Sequence, residues 1–179
     1  MTDPIELAAL VEQWPHDLKS RELVLMLLQH TPSPYSRDQF TPGHITATAC
    51  VLHPGGGRFL LVHHKRLDRW LFPGGHVENV DAAIWDTARR EAVEETGVLL
   101  SPQTPRLAGI DVHGIPGKKR EPYHLHHDLI FCFRAIADAL VVSEETRAVA
   151  WCSPAEFDKY ELPASIRECC TRALEKSAQ

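Results

Sequence analysis

The sequence lacks the features that mark membrane and secreted proteins. No apolar run approaches the ~18 residues that a membrane-spanning helix needs. Residues 1–6 contain neither the basic stretch nor the apolar core of a secretory signal. The chain is also short of positive charge, with 19 Lys and Arg against 24 Asp and Glu, which argues against non-specific nucleic-acid binding. We therefore expect a cytoplasmic protein with no membrane and no stable nucleic-acid partner.

Paired cysteines are missing as well. The five cysteines are an odd number and show no CxxC spacing, which excludes a disulfide framework and a cysteine-based zinc site. We interpret Cys50 and Cys132 as small buried hydrophobic residues. The 179 residues are 44% hydrophobic and 24% charged, which excludes wholesale disorder. This length and composition predict one domain with a helical appendage.

The first 42 residues have a different pattern from the rest. Apolar residues recur at helical spacing between residues 4 and 30, and Pro15 divides this stretch into two helices. Asp17 or Ser20 would begin the second helix, and the segment after His30 is a linker. We therefore expect an N-terminal helical extension and linker over 1–42, followed by the main domain over 43–179 with a C-terminal helix.

Strand and helix patterns are mixed after residue 43. Strands are predicted at 45–51, 58–63, 70–72, 106–112, 125–135 and 147–152, and helices at 82–96, 154–157 and 164–174. The three glycines at 55–57 indicate a hairpin turn and not a phosphate loop, because strands flank them. Asp81 is the expected N-cap of the helix over 82–96, and Gly97 its left-handed end. The pattern predicts an α/β sandwich with a mixed sheet.

The helix over 82–96 carries carboxylates where apolar residues belong. At ~100° per residue, the face that should meet the core contains Ala83, Ile84, Thr87 and Ala88. Extended by two turns, this face carries Glu91, Glu94 and Glu95, whereas Val93 falls on the opposite side.

Three carboxylates at this spacing repel one another, and burying them unpaired costs several kcal/mol each. Arg90 can supply one ion pair, and the remaining charge predicts a divalent cation. Ligation by oxygen alone favours Mg²⁺ or Mn²⁺ over zinc. The alternative is a solvated acidic helix face with Arg89 and Arg90 as its partners.

The segment 74–98 closely resembles the signature of the MutT-like Nudix hydrolase family. The second half of the signature matches Arg90-Glu91-Ala92-Val93-Glu94-Glu95-Thr96-Gly97-Val98, where only the small Ala92 departs from an aliphatic preference. The first half begins at Gly75, and residues 72–78 resemble the usual entry to the motif. Asp81 takes the place of the first acidic residue of the signature. Eight residues separate it from Arg90, where the family pattern has seven, and we place the extra residue in the loop 79–80. The resemblance covers residues 43 to about 155.

The resemblance implies an α/β/α sandwich that hydrolyses a nucleoside diphosphate linked to another group, with Mg²⁺ or Mn²⁺. If these positions have the same roles as in the family, the metal would be bound by Glu91, Glu94 and Glu95. One of these glutamates is also a candidate to deprotonate the attacking water. Arg90 would orient these glutamates, and Gly75 would offer its carbonyl to the metal. This chemistry suits an anionic, slowly hydrolysed diphosphate, since the cation neutralises its oxygens and positions water.

A strand rich in histidine is the second unusual feature. His124, His126 and Asp128 share one face of the strand over 125–135, beside a basic loop over 118–120. We predict that His126 and Asp128 bind substrate and that Lys119 contacts phosphate, together with Arg66 near the end of an earlier strand. The alternatives are satisfied half-buried histidines and a solvated loop. Zinc binding by His124 and His126 would not complete a tetrahedron.

Several functional alternatives stay open. Glu121, Asp128, Glu144 and Glu145 are candidates for the general base. Nucleoside triphosphates, ADP-ribose, nucleotide sugars and dinucleoside polyphosphates are all candidate substrates, and we favour a nucleoside diphosphate derivative. A non-catalytic ligand sensor is disfavoured by the three retained glutamates. An isomerase of isopentenyl diphosphate is disfavoured by Gly74-Gly75-His76 where that branch has a cysteine. The N-terminal helices are candidates for a homodimer interface.

Overall fold

The computed structural model describes residues 2–118 and 121–175. Its elements, in chain order, are α1 (Pro4–Glu12), α2 (Leu18–His30), β1 (Gly43–Leu52), β2 (Phe59–His64), β3 (Arg69–Leu71), β4 (Gly74–His76), α3 (Ile84–Thr96), β5 (Arg106–Ile115), β6 (His124–Arg134), β7 (Thr146–Cys152), a single 3₁₀ turn (Pro154–Glu156) and α4 (Ala164–Glu175). None of the helices in these described ranges has the length and apolar character of a membrane span.

Seven strands form one mixed sheet. The main path runs β3-β2-β1-β6-β5, while β4 pairs with β1 and β7 pairs with β2. The central pair, β1 and β6, is parallel, and the other pairings are antiparallel. The parallel register sets Thr46 opposite Asp128 and His44 opposite His126. Residues that lie far apart in the sequence therefore meet at the start of both strands.

Helices cover both faces of the sheet. Alternate β1 residues such as Ile45 and Ala47 pack with α1, α2 and α3 in one hydrophobic cluster. The other β1 face supplies Cys50 and Leu52 to a second cluster, which includes Ile166 of α4. This arrangement confirms the predicted α/β sandwich with a mixed sheet. Cys50 and Cys132 are both buried and free, as predicted.

The N-terminal helices form as predicted and pack on the sheet. Leu7 and Val24 are fully buried in the same cluster as the strand residues of β1. Asp17 stands at the start of α2 in a left-handed conformation (φ 51°), and its side chain does not cap the helix. Its carboxylate instead accepts hydrogen bonds from the Trp14 indole (3.0 Å) and the Ile110 backbone (3.2 Å). This carboxylate therefore ties α2 to the sheet.

The start of α3 differs from the prediction. Asp81 was expected to be its N-cap, but Ala83 occupies that position, and the Asp86 carboxylate accepts from the Ala83 amide at 2.9 Å. Asp81 is buried two residues earlier, where it forms an ion pair with Arg90. The strand β4 was also not predicted, because three residues of Gly-Gly-His carry no strand periodicity. Gly97 ends the helix in the left-handed conformation (φ 63°), as predicted.

Candidate active site

One large cleft gathers almost all of the predicted site residues. Its volume is about 960 Å³, and it opens between the centre of the sheet, α3, the start of α4 and the loops that follow β2 and precede β7. The predicted residues that line it are Arg66, Gly75, Arg90, Glu91, Glu94, Glu95, His126 and Asp128. Lys119 lies outside the described residues. Its neighbour Lys118 is exposed and does not line the cleft.

The three glutamates of α3 differ in exposure. Glu95 is 3% exposed, the Glu91 side chain is 15% exposed, and the Glu94 side chain is 59% exposed. The prediction that all three continue the inward stripe is therefore wrong for Glu94. The buried stripe of the helix runs through Ala88, Ala92 and Glu95, which turns position 94 toward the rim of the cleft.

Glu95 is the least satisfied of the three carboxylates. Its Oε2 atom is buried and has no hydrogen-bond partner among the described residues. Burial, followed by the charges of Glu91 and Glu145, raises the pKa of Glu95 to about 8. Burial also raises the pKa of Glu91, although the adjacent Arg90 guanidinium opposes this shift. Two partly uncompensated carboxylates thus face the same cleft.

Arg90 organises the carboxylates around it. Its guanidinium donates to Glu91 (2.8 Å), to Glu94 (3.1 Å) and to both oxygens of Asp81 (3.1 Å each). A further hydrogen bond reaches the His76 carbonyl at 2.9 Å. Burial disfavours the charge of Arg90, yet its hydrogen bonds to Asp81 and Glu91 raise its pKa. Burial opposes ionisation of Asp81 too, but the same contacts lower its pKa. Arg90 therefore stays charged and holds Glu91 in place.

Gly75 allows the helix to approach the backbone of β4. A β-carbon at this position would overlap the Glu91 carboxylate. The absence of a side chain leaves the Gly75 backbone next to a carboxylate, and an orphaned oxygen of Glu95 lies on the same helix. All of these donors are oxygens, and their net charge is negative even after Arg90 is counted. The residues therefore fit a hard divalent cation.

The sheet supplies the opposite wall of the cleft. Asp128 is buried and accepts hydrogen bonds from the hydroxyls of Thr46 (2.9 Å) and Thr48 (3.0 Å), and burial raises its pKa. Burial and nearby histidines lower the pKa of His126 to about 2, so its imidazole is neutral. The two threonines could not be predicted from the sequence, since only the parallel pairing of β1 with β6 brings them to Asp128.

Three of the four candidate bases also line the cleft. They are Asp128, Glu144 and Glu145. Glu121 instead lines a smaller adjoining cavity with His76, His124 and His126.

Comparison with known proteins identifies the family. The model of the NUDIX domain matches residues 43–172. No curated protein matches the chain. Among solved structures, a MutT protein from Methanosarcina mazei Go1 is similar, with 22% identity and a TM-score of 0.58, over 75% of this chain and 95% of that chain. An Ap4A hydrolase from C. elegans is 18% identical with a TM-score of 0.55, over 75% of this chain and 97% of that chain.

A NUDIX domain solved with a bound nucleotide derivative has the same fold. The NUDIX domain of Shewanella oneidensis NrtR, solved with ADP ribose, is 18% identical with a TM-score of 0.55, over 85% of this chain and 96% of that chain. At these identities the structural neighbours establish the fold, and the family model covers well over half of the chain. The glutamate motif on α3 and the match to the family model agree: the chain belongs to the Nudix hydrolase family.

Proposed function

We propose that this enzyme hydrolyses the pyrophosphate bond of a nucleoside diphosphate linked to another group, such as ADP-ribose or a nucleotide sugar. The observation that carries the proposal is the buried, unpartnered Oε2 of Glu95 beside Glu91 in a large cleft. A buried carboxylate without a partner is costly. A bound cation and an anionic substrate remove this cost together.

We assign the cation to the carboxylates of Glu91, Glu94 and Glu95 and to the Gly75 carbonyl, and we expect Mg²⁺ or Mn²⁺. When bound, such an ion neutralises phosphate oxygens and lowers the pKa of the attacking water. Arg90 keeps Glu91 and Glu94 oriented through its hydrogen bonds. Fixed charges of this kind position the reactants before the reaction and so lower its barrier.

Glu145 is our candidate for the group that accepts the proton of the attacking water. Of the four carboxylates considered, it is the one whose charge acts on both Glu91 and Glu95. The backbone of its loop is held to the end of β2, because the Lys65 amide donates to the Glu145 carbonyl at 3.2 Å. A base carried on an anchored loop can face the carboxylates of α3 across the cleft.

The substrate class rests on the other wall of the cleft. We assign His126, Asp128 and Arg66 to substrate contacts, with Lys119 as a phosphate contact. The neighbours support a nucleotide derivative, since one was solved with ADP ribose and another is an ADP-ribose pyrophosphatase from Streptococcus suis, which is 21% identical with a TM-score of 0.52. A nucleoside triphosphate is the second candidate substrate. Because one neighbour is a NUDIX domain solved with ADP ribose bound, a non-catalytic ligand sensor is the alternative to be tested.

Phosphate release tests the proposal. The full chain would be incubated with ADP-ribose, nucleotide sugars, dinucleoside polyphosphates and nucleoside triphosphates, with a coupled phosphatase, in Mg²⁺, in Mn²⁺ and in EDTA. We expect metal-dependent turnover of one diphosphate class and none in EDTA. Turnover of triphosphates alone would replace our substrate by the second candidate. Tight binding of ADP-ribose with no turnover in either metal would favour the sensor.

We also propose that the chain acts in the cytoplasm and forms a homodimer through its N-terminal extension, residues 1–42. Its five cysteines are free, which is typical of a reducing compartment.

The proposed dimer interface contains exposed apolar side chains. More than half of the surface is exposed in each of Ile5, Leu18 and Met26 of α1 and α2. Sedimentation of the wild-type chain and of an Ile5→Ser, Met26→Ser variant would check the dimer, and a monomeric wild type would contradict it.

A further inference from the structure

A cluster of imidazoles lies at the start of the two parallel central strands. His44 of β1 and His124 and His126 of β6 each offer a ring nitrogen, and these atoms lie within 4.8 Å of one another. The ring centroids are 4.9–5.2 Å apart. His44 and His124 are buried. The fold therefore concentrates three imidazoles in a largely dehydrated space, where unsatisfied ring nitrogens are unfavourable.

The hydrogen bonds fix which nitrogen of two rings is available. The Nδ1 atom of His44 lies 3.1 Å from the Gln39 carbonyl, and Nδ1 of His124 lies 2.8 Å from the Pro122 carbonyl. A carbonyl can only accept, so both Nδ1 atoms carry the proton, and both Nε2 atoms present a lone pair. An Nδ1–H donated to a backbone carbonyl is the usual arrangement of a histidine that binds metal through Nε2.

The free lone pair of His44 has no partner. Its Nε2 atom is buried and makes no hydrogen bond to any described residue. A structural role in a polar core would normally satisfy such an atom. His44 and His124 cannot satisfy each other, because each presents only a lone pair to its neighbours.

We propose that His44, His124 and His126 bind one transition-metal ion of the Zn²⁺ type, separate from the cation of the carboxylate site. Imidazole nitrogen is a ligand that suits zinc and its neighbours and does not suit Mg²⁺. Tetrahedral Zn–N bonds of about 2.0–2.1 Å set the ligand nitrogens roughly 3.4 Å apart. Small rotations of the imidazoles about an ion would bring them to this spacing.

The fourth coordination position faces the small cavity beside the main cleft. His124 and His126 line this cavity together with His76, Glu121, Arg37 and Arg66. Glu121 offsets one of the two arginines, and the remaining positive charge favours an anionic fourth ligand such as hydroxide over a neutral one. The low pKa values of His44 and His126, caused first by burial, keep their imidazoles neutral and ready to bind metal near pH 7.

Metal content measured in the presence of excess Mg²⁺ tests this site. The full chain would be stripped with a chelator, dialysed against Zn²⁺ with Mg²⁺ in large excess to occupy the carboxylates, and assayed for zinc by mass spectrometry. We expect one zinc per chain in the wild type, and none in the His124→Gln and His126→Gln variants. His30→Gln, an exposed histidine at the end of α2, and Glu95→Gln are the controls and should keep the zinc.

Each result decides the proposal. A folded wild type that retains no zinc, or histidine variants that retain as much as the wild type, would overturn it. If the variants do not fold, visible absorption of the Co²⁺-loaded wild type replaces them. Intense four-coordinate bands that Zn²⁺ removes would support the site, and weak six-coordinate bands would overturn it. Neither readout depends on hydrolysis, so failure here leaves the proposed function intact, and the reverse also holds.

Discussion

Polar groups are buried at both ends of the cleft, but they are stabilised in different ways. At the α3 end, acidic side chains surround one arginine, and Arg90 donates hydrogen bonds to the carboxylates of Asp81, Glu91 and Glu94. At the other end, the rings of His44, His124 and His126 lie against one another without a carboxylate among the three. The α3 end keeps most of its charges beside an arginine, with Glu95 shifted toward its neutral form, whereas the histidine end loses its charges by deprotonation.

This difference explains why the two ends suit different cations. Carboxylate and carbonyl oxygens favour hard ions, and neutral imidazoles favour borderline ions such as Zn²⁺. Each cluster contains one buried atom without a hydrogen-bond partner among the described residues. These atoms are Oε2 of Glu95 and Nε2 of His44. Each leftover atom is the observation from which we infer a ligand. Variants that disrupt one end should therefore leave the other intact.

Removing Arg90 should have the largest effect. Arg90→Ala leaves Asp81 buried without its ion pair, so we expect the free energy of unfolding to fall by about 3–5 kcal/mol. Arg89→Ala is the matched control, because Arg89 donates to the carbonyls of Ser101 and Gln103 and lies over the Phe133 ring, and its loss should cost only about 1–2 kcal/mol. Denaturant titration measures both. Adding Asp81→Asn to Arg90→Ala should recover part of the loss, and equal losses at positions 89 and 90 would contradict the account.

Neutralising a single glutamate should abolish most of the activity without unfolding the chain. We expect Glu94→Gln or Glu95→Gln to lower kcat by at least about a hundredfold, since each removes a proposed metal ligand. Val93→Ala, on the exposed side of the same helix, should keep near-normal turnover. Initial rates and circular dichroism check the two properties separately. Near-normal turnover in both glutamine variants would rule out the assigned metal site.

The two ends should respond to pH with opposite signs. The folded pKa of Glu95 is about 8, above its usual 4.5, so its folded form holds the extra proton and stability falls as pH rises between these values. The folded pKa values of His76 (about 4) and His126 (about 2) lie below 6.5, so stability falls as pH drops below 6.5.

Melting temperatures measured from pH 4 to 9 in EDTA check both slopes. Glu95→Gln should remove much of the decline between pH 6.5 and 8, where the histidines do not oppose it, and leave the decline below pH 6.5 in place. Saturating Mg²⁺ should also reduce the decline between pH 6.5 and 8, because it stabilises the ionised carboxylate. A decline of the same size over this range in Glu95→Gln and the wild type would contradict the assignment of that slope to Glu95.

The smallest effect is expected at the rim between the two ends. Arg66 lines both the main cleft and the small cavity, and we assign it to a substrate phosphate. Arg66→Ala should raise KM by about fivefold with little change in kcat, as expected for an exposed charge contact. Arg58→Ala is the control, because Arg58 contacts His53 outside the cleft. Equal KM values in Arg66→Ala and the wild type would remove Arg66 from the substrate contacts.

The carboxylate end could be predicted from the sequence because the residues that form it lie close together in the chain. Helical spacing alone puts Glu91 and Glu95 on the inward side of α3, and the Nudix resemblance adds Arg90 and Gly75. Spacing did not separate the buried Glu95 from the exposed Glu94, since that depends on where the sheet contacts the helix. It also gave Asp81 a capping role, although a buried ion pair with Arg90 holds it instead.

The histidine end could be predicted only in part, because the residues that form it come from distant parts of the chain. Strand alternation correctly puts His124, His126 and Asp128 on one face. His44 joins them only through the parallel pairing of β1 with β6, which sets it opposite His126. No periodicity in the sequence reveals a contact over such a separation. The sequence alone offers two neighbouring histidines as zinc ligands, and the fold brings His44 beside them as a third.

Binding of Mn²⁺, followed by electron paramagnetic resonance, tests the central claim most directly. The claim is that the carboxylates of α3 hold the divalent cation used for hydrolysis. We predict that Glu95→Gln weakens Mn²⁺ binding at least about tenfold relative to the wild type, whereas His126→Gln binds Mn²⁺ as the wild type does. Equal affinity in the wild type and Glu95→Gln would contradict the claim.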